Sequence, residues 1–323
     1  MKLYIPKWFY QNNMGDSLCS TFIPKVLKKK YPEESIELIT YGFLLEIFHH
    51  DPNVGILRGP TPEEILTPAK YMDVAFNNPS ETVKAIYPEM HPRLYEFWGK
   101  HHDFLVNHPT ANIITVNFAL QLGVEDMLFD GTDFKPDVHF DVGKKNPYEP
   151  ITVGIVPASK LAGRPTPHPG CNGIGLRYKH WDKYVAELRA MLPNIRILEF
   201  SETDLGLGDE RIPYQDSIID LIKIVNTVDI GVLSDGGLHW IFNILEKPTV
   251  LFTGTLVNKA EFFKVKNSNY PEHLHLDCRK SCRSYFTEVF GGEDKSKICN
   301  LECEDLDPSR LAEYTREIID EKF

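Results

Sequence analysis

The sequence has no apolar run of the roughly 18–20 residues that a membrane-spanning helix needs. Its first residues, MKLYIPK, contain no long apolar region and no small-residue cleavage site of a secretory signal. We therefore expect a cytoplasmic protein without a transmembrane segment. Peripheral contact with a membrane is compatible with this expectation. Internal repeats and low-complexity segments are also missing. An aromatic content of 11% excludes a wholly disordered chain.

Positive charge is in short supply. The chain carries 35 basic and 46 acidic residues, for a net charge of −11. An acidic surface repels the phosphates of DNA and RNA, which argues against a nucleic-acid partner. A local basic cleft could still hold a small phosphorylated ligand. At about 150 residues per domain, a chain of 323 residues predicts two domains.

The first half opens with the pattern of a strand, a helix and a second strand. Lys2–Ile5 and Ser35–Thr40 are short apolar segments that predict strands. Between them, apolar residues recur at the spacing of one helix face, and Pro32 ends the helix. The residues of that face are Leu18, Phe22, Ile23, Val26 and Leu27. This βαβ order predicts a parallel sheet with helices on its faces.

The middle of the chain gives weaker patterns and then a boundary. The predicted elements there are a strand at Tyr71–Phe76, helices at Pro92–Val106 and Asn112–Leu122, and an extended piece at Asp137–Asp141. Lys144–Pro150 is polar, carries two prolines and has no periodicity, as is typical of a linker. We therefore expect one domain at 1–146 and a second at 147–323.

The second half repeats the alternation of strands and helices. Predicted strands are Ile151–Val156, Asn194–Phe200, Asp229–Leu233 and Thr249–Phe252. Predicted helices are His180–Leu192, Asp216–Thr227, Gly237–Leu245 and a final helix with Asp307 as N-cap and Pro308 at its first position. Two α/β halves of similar size predict an α/β protein with a cleft between its domains. Ligands in open α/β sheets bind outside the carboxyl ends of the strands.

Two turns between strand and helix could carry chemistry. Asp16 follows the first strand after a glycine, where its carboxylate could face a substrate or could cap the helix. Ser234-Asp235-Gly236-Gly237 lies between an apolar strand and a helix, with His239 in the first helical turn facing the cleft. Glycines there allow backbone N–H groups to approach a phosphate, although they also occur in tight turns without a ligand.

Two cations, Arg177 and Lys179, immediately precede the helix at His180–Leu192. Basic groups at this edge of the second domain could clamp a diphosphate. Most lysine and arginine side chains are simply solvated, and that alternative stays open for both residues.

Four of the six cysteines are clustered within 26 residues, with the spacing Cys278-x3-Cys282-x16-Cys299-x3-Cys303. Four thiolates can bind one zinc or iron ion tetrahedrally and leave no open position for water, which indicates a structural site and not a catalytic one. Four reduced thiols, or two disulfides in an oxidising compartment, are the alternatives. Two histidines close upstream, His273 and His275, are alternative ligands.

Two long stretches resemble a known family. NNMGDSLCSTFIPKVLKKKYPEESIELIT and DSIIDLIKIVNTVDIGVLSDGGLHWIFNILEKPTVLFTGT are similar to the opening and the diphosphate-binding part of family 9 glycosyltransferases, the heptosyltransferase-like enzymes. GLRYKHWDKYVAEL matches the basic segment of that family ahead of a tryptophan-bearing helix. The resemblance covers about a third of the chain. It implies the GT-B fold, in which two Rossmann-like domains face each other across a cleft.

The resemblance also implies a role for each matched residue. Asp16 would be the general base of an inverting, metal-independent sugar transfer from a nucleotide-diphosphate donor to the hydroxyl of a glycan, a protein or another acceptor. The first domain would bind the acceptor and the second the donor. Lys179, or Arg177, would neutralise the leaving diphosphate. The other donor-binding positions would be Ser159, Lys160, Ser234, Asp235, Gly236, Gly237, His239, Thr253 and Gly254.

One departure from the family pattern and three alternative functions bear on this interpretation. The family commonly has a hydroxyl residue where Gly236 stands, so backbone amides would have to bind the phosphate here. A non-catalytic nucleotide- or glycan-binding module of the same fold is the alternative function. An NAD-dependent dehydrogenase is disfavoured because no Gly-x-Gly-x-x-Gly follows the first strand, and a zinc-finger module is disfavoured by the net charge.

Overall fold

The computed structural model describes about two thirds of the chain. The described residues are 1–5, 14–62, 64, 82–86, 91–108, 110–146, 148–157, 180–213, 215–234, 237–252, 274–276 and 307–323. The chain divides into two compact units. The first contains Met1–Val142 and Ser217–Ile219, and the second contains Gly143–Asp216 and Asp220–Phe323.

The first unit contains a four-stranded sheet in the order β3-β2-β1-β4, and each neighbouring pair is parallel. Its strands are β1 (Lys2–Tyr4), β2 (Ile36–Ile39), β3 (Val54–Arg58) and β4 (Val83–Ala85). The predicted βαβ opening is confirmed, because β1 pairs with β2 in parallel and the helical segment lies between them in the chain. Helical segments also lie between β2 and β3 in the chain, as is usual for connections between parallel strands.

Helices connect these strands and cover the sheet. They are α1 (Met14–Cys19), α2 (Ile23–Lys30), α3 (Phe43–Phe48), α4 (Leu94–Lys100), α5 (His102–Asn107) and α6 (Ile113–Leu122), with 3-10 turns at Ser20–Phe22 and Glu125–Phe129. The five apolar residues predicted for one face of the first helical segment are all buried. The helix predicted at Pro92–Val106 is two helices, α4 and α5, separated at His101. Asn112 caps α6 by accepting hydrogen bonds from two backbone N–H groups.

The second unit contains a six-stranded parallel sheet in the order β10-β9-β8-β5-β6-β7. Its strands are β5 (Thr152–Ile155), β6 (Arg196–Phe200), β7 (Glu210–Ile212), β8 (Ile230–Ser234), β9 (Thr249–Phe252) and β10 (Leu274–Leu276). Its helices are α7 (Trp181–Met191), α8 (Ile218–Asn226), α9 (Gly237–Ile244) and α10 (Pro308–Lys322). The first residues of α8 belong to the first unit.

The core of the second unit joins its strands to α7 and α10. Leu188 of α7 and Leu311 of α10 are fully buried in the same cluster as Val153 and Val232 of the sheet. Asp307 caps α10, as predicted, since its carboxylate accepts the N–H of Ser309 at 3.0 Å. The last helix is thereby fixed at its start and along its apolar face.

The structure also departs from the sequence-based expectations. The strands β3, β4, β7 and β10 and the helix α3 were not predicted. Asp137–Asp141 forms no strand, and the strand predicted at Tyr71–Phe76 lies outside the described residues. In the described part of the chain, no helix combines the length and the apolar character needed to span a bilayer.

Candidate functional site

The strand order of the second sheet reverses between β5 and β8. From β5 the chain proceeds through β6 to β7 on one side, and from β8 it proceeds through β9 to β10 on the other. The two central strands are parallel neighbours, and Val156 N–H donates to Val232 O at 3.2 Å. Ligands of open α/β sheets bind at such a reversal, outside the carboxyl ends of the strands. This edge is therefore the candidate binding site of the second unit.

The predicted diphosphate-binding turns follow these two strands in the chain. Ser159 and Lys160 come shortly after β5, whose described continuation ends at Pro157. Asp235 and Gly236 follow Ser234, the last residue of β8. These four residues lie outside the described part of the chain, and of Ser234 only the backbone is described. The topology nevertheless shows that both segments leave the sheet from adjacent strand ends.

A glycine in β8 leaves room for α9 to pack on the sheet beside the reversal of strand order. A Cβ added to Gly231 of β8 would lie 2.8 Å from the ring of Phe242, and one added to Gly154 of β5 would lie 3.4 Å from it. Phe242 belongs to α9 and is fully buried. The bare backbone of Gly231 thus lets this ring pack directly on the sheet, whereas the distance at Gly154 is an ordinary contact. The packing fixes α9, which begins at Gly237, behind the predicted glycine turn.

His239 is the third residue of α9, as predicted, but its side chain is fully buried instead of facing an open cleft. Its Nε2 lies 2.8 Å from Nδ2 of Asn243, one helical turn later. With the amide nitrogen as donor, Nε2 accepts and the ring proton resides on Nδ1. In this structure the ring therefore has no exposed surface that a bound diphosphate could contact.

The remaining predicted donor and metal ligands fall outside the described residues. Arg177 and Lys179 precede the described residue His180, and Thr253 and Gly254 follow β9. The four clustered cysteines also fall there: Cys278, Cys282, Cys299 and Cys303. Among the residues that the structure describes, no group of three or more His, Cys, Asp or Glu side chains could hold a metal ion.

The carboxyl edge of the first sheet is formed by the segments after β1, β2, β3 and β4. Asp16 lies in α1, and of this residue only the backbone is described. The alternative role of Asp16 as an N-cap is wrong, because Met14 and Gly15 precede it within the helix. The next residue, Ser17, is fully buried, and its carbonyl accepts the Ser20 hydroxyl at 2.6 Å. Asp16 thus lies in a helix whose next turn is anchored in the core.

A tyrosine pair at this edge was not predicted. The hydroxyls of Tyr4 in β1 and Tyr41 after β2 lie 3.1 Å apart, with their rings edge to face. Gly42, with φ of +52°, turns the chain directly from Tyr41 into α3. The pairing could not be found from sequence, since it depends on the register between β1 and β2.

Arg58, the last residue of β3, is enclosed by two carboxylates. Its guanidinium binds Glu64 through two parallel hydrogen bonds of 2.8 and 2.9 Å, and Nε donates to Glu37 at 2.8 Å. The hydrogen bond from Arg58 lowers the pKa of Glu64 to about 2, and the contact with Glu64 raises the pKa of Arg58 above its usual value. The arginine is therefore committed to protein partners.

Several glycosyltransferases of known structure resemble the whole chain. ADP-heptose LPS heptosyltransferase II of E. coli gives a TM-score of 0.61 at 11% identity, over 99% of both chains. The family 9 glycosyltransferase of Veillonella parvula DSM 2008 gives 0.60 at 13% identity, over 99% of this chain and 98% of the other. The iron-containing dodecameric glycosyltransferase TibC of enterotoxigenic E. coli H10407 gives 0.60 at 13% identity, over 100% of this chain and 76% of its own.

No protein-family model and no curated protein matches the sequence. The likeness is therefore one of structure, carried over nearly the full length at low identity. It agrees with the two parallel sheets described above and with the resemblance noted in the sequence. The chain has the fold of the family 9 glycosyltransferases of known structure.

Proposed function

We propose that the chain is an inverting, metal-independent glycosyltransferase that moves a sugar from a nucleotide-diphosphate donor to an acceptor hydroxyl. The observation that carries the proposal is the reversal of strand order between β5 and β8. The segment with Lys160 follows β5, and the segment with Gly236 and Gly237 follows β8. The fold likeness to heptosyltransferases supports it. The second unit would bind the donor and the first unit the acceptor.

In the proposed reaction, the carboxylate of Asp16 takes the proton of the acceptor hydroxyl. The acceptor oxygen bonds to the anomeric carbon of the sugar as the bond from that carbon to the diphosphate oxygen breaks. The nucleoside diphosphate leaves with the bonding electrons. Backbone N–H groups of the Asp235–Gly237 turn and the cation of Lys179 or Arg177 would stabilise the added charge. Ser159, Lys160, Thr253 and Gly254 would complete the donor site.

The four cysteines would bind a structural zinc or iron ion apart from this reaction. A set of four thiolates fits either metal and leaves no position for a reacting water. Metal analysis of protein purified without added metal tests the proposal, and about one ion per chain is expected. Protein that folds normally with far less than one ion per chain would show that the cysteines are free thiols or disulfides.

The test of the function begins with binding. The purified chain is screened by thermal unfolding against nucleoside diphosphates and nucleotide sugars. A ligand at 100 times its Kd stabilises the folded state by about 2.7 kcal/mol, which raises Tm clearly. We expect a shift selective for one base, followed by release of the matching nucleoside diphosphate when an acceptor is added. Binding without any release would show a non-catalytic binding module, and no shift with any nucleotide would overturn the proposal.

A further inference from the structure

The segment 201–209, which joins β6 to β7, is short for a connection between parallel strands. Such a connection normally takes a dozen or more residues and contains a helix. Here nine residues without a helix lead from Phe200 to Glu210. The segment leaves β6 at its carboxyl end and returns along the strand, since Glu210 pairs with Leu198. Side-chain and backbone contacts with β6 therefore have to fix its course.

The carboxylate of Glu199 in β6 makes the central contacts. Oε1 accepts the N–H of Leu205 and Oε2 accepts that of Leu207, both at 3.0 Å. Oε1 also accepts the hydroxyl of Ser201. Only 1% of Glu199 is exposed. Because a carboxylate is buried at low cost only among hydrogen-bond donors, the strand and the segment after it are built around each other.

The end of the segment packs directly on the strand. A Cβ at Gly208 would lie 2.9 Å from Ile197 O, so a glycine is what lets the two backbones approach this closely. Asp209 donates its N–H to the same carbonyl at 2.8 Å, and its carboxylate accepts the N–H of Ile197 at 2.8 Å. The return of the segment is thereby fixed, and its first part, the 202–206 turn, is exposed beyond the end of β6.

One side chain of the 202–206 turn is large and apolar. Leu205 is 48% exposed, although its N–H is bound by the buried carboxylate of Glu199. Gly206, with φ of +67°, turns the chain and donates its N–H to the Asp204 carboxylate at 2.9 Å. Single exposed leucines are common on protein surfaces. This one is presented on a fixed backbone, at the edge of the sheet where ligands of such folds bind.

The 202–206 turn lies next to the proposed donor site. Strand β6 is the direct neighbour of β5, and neighbouring strands are about 4.8 Å apart. The turn therefore lies beside the reversal of strand order, where we propose that the diphosphate binds. In nucleotide-binding units of this topology, the phosphates lie at the turn after the first strand and the nucleoside lies near the end of the next strand. Those two strands are β5 and β6 here.

Building on the proposed function, we propose that Leu205 packs against the base of the donor nucleotide and that Glu199 is the residue that positions it. A nucleobase has a flat face that an apolar side chain can cover, whereas the charged diphosphate has none. Glu199 does not touch the donor. It keeps the 202–206 turn in its binding conformation before the donor arrives, which removes the cost of ordering the turn on binding.

The first test separates the nucleoside from the diphosphate. Calorimetric titration measures the affinity for the nucleoside diphosphate selected in the thermal screen and for inorganic pyrophosphate. Glu199→Gln offers one acceptor oxygen in place of two, so one backbone N–H of the segment loses its partner. We expect about 5- to 10-fold weaker binding of the nucleoside diphosphate, and a change of less than about twofold for pyrophosphate. An equal loss for both ligands, or for neither, would overturn the proposal.

Glu210→Gln is the matched control. Glu210 begins β7 beside the same segment, but it is exposed and pairs with Arg196 at the surface, so both affinities should stay unchanged. Amide hydrogen exchange followed by NMR should show lost protection at Leu205 or Leu207 in Glu199→Gln and not in the control. Lost protection without weaker binding of the nucleoside diphosphate would make Glu199 a structural residue only, and the proposal would be wrong.

Leu205→Ser tests the contact itself and leaves the core intact, because the side chain is exposed. Loss of the apolar contact should weaken binding of the nucleoside diphosphate by about 3- to 10-fold and leave that of pyrophosphate unchanged. Ile56→Ser removes an apolar side chain of similar exposure from the first unit and should change neither affinity. Equal affinities of these two variants for the nucleoside diphosphate would remove Leu205 from the donor site.

The outcomes also separate this inference from the proposed function. If no nucleotide binds to the unmodified protein, the proposed function itself fails. If a nucleoside diphosphate binds and its affinity is the same in Glu199→Gln, Leu205→Ser and the unmodified protein, only the role of the 202–206 turn is wrong.

Discussion

The two units rely on different kinds of contact around their sheets. In the second unit, Gly231 of β8 leaves room for Phe242 of α9 on the strand backbone, and the candidate site follows from strand order. In the first unit, the edge carries long side chains that pair with segments after the strands. Tyr4 of β1 meets Tyr41 after β2, and Arg58 at the end of β3 meets Glu64 after it. The sheet of the second unit thus depends on close backbone packing, and the edge of the first sheet depends on pairs of side chains.

The largest expected effect comes from a substitution of Asp16, the proposed general base of the first unit. Asp16→Asn should lower turnover by about 10²- to 10⁴-fold, because no carboxylate then accepts the proton of the acceptor hydroxyl. Binding of the nucleoside diphosphate, which we propose for the other unit, should change by less than about twofold. Steady-state release of the nucleoside diphosphate and calorimetric titration measure the two quantities.

Asp126→Asn is the matched control for this change. Asp126 is an exposed carboxylate of the first unit whose partner is Lys30, so its loss should leave both quantities close to those of the unmodified protein. Turnover by Asp16→Asn at the level of this control would remove Asp16 from the mechanism. A large loss of nucleotide binding in Asp16→Asn would contradict the division of labour between the units.

A smaller effect tests the packing of α9 on the backbone of β8. Gly231→Ala would place a methyl group 2.8 Å from the Phe242 ring and 2.6 Å from Leu233 Cδ2. Overpacking of this kind costs about 1–3 kcal/mol of unfolding free energy. It should also push α9 from the sheet and weaken nucleotide binding. Urea unfolding and the thermal shift by nucleoside diphosphate provide the measurements.

Gly99→Ala serves as the control, since a Cβ there would meet nothing within 4 Å and the residue lies in a helix. Alanine is the better helix former, so this variant should be as stable as the unmodified protein or more so. Equal stability of Gly231→Ala and Gly99→Ala would show that α9 is not held by contact with the glycine backbone.

The same contrast explains what could be predicted from sequence. The central strands were found because strands buried on both faces appear as continuous apolar runs, as in β5 and β8. All four missed strands, β3, β4, β7 and β10, lie at an edge of their sheet. Edge strands are short and partly polar, so β7 (ERI) and β4 (VKA) show no apolar run.

The features of the candidate sites also differ in whether the sequence could predict them. The predicted glycine turn after β8 is local in sequence, and its neighbours β8 and α9 could be recognised as strand and helix. The Tyr4–Tyr41 contact spans 37 residues and depends on register, and the Arg58–Glu64 pair depends on how the chain turns after β3. Side-chain pairs that depend on strand register or on the course of a turn have no sequence signature of their own. His239 shows the limit of local reasoning, because its position in α9 was foreseen and its burial was not.

The smallest expected effect concerns pH and is confined to the first unit. His108 is buried, with Nδ1 accepting the N–H groups of Thr110 and Ala111 at 3.1 and 2.9 Å, and Nε2 3.1 Å from Leu128 O. Burial lowers its pKa below the ordinary value, so the folded state favours the neutral ring. The unfolded state takes up the proton first as pH falls.

The neutral ring therefore contributes stability in full above the unfolded pKa of about 6.5, and this contribution is lost as pH falls through the lower folded value. We expect Tm to fall on acidification through this range in the unmodified protein, and less so in His108→Asn, whose amide oxygen can accept the backbone N–H groups without titrating. His102→Asn, at an exposed site, should keep the original slope. An identical slope in all three proteins would assign the acid sensitivity to other groups.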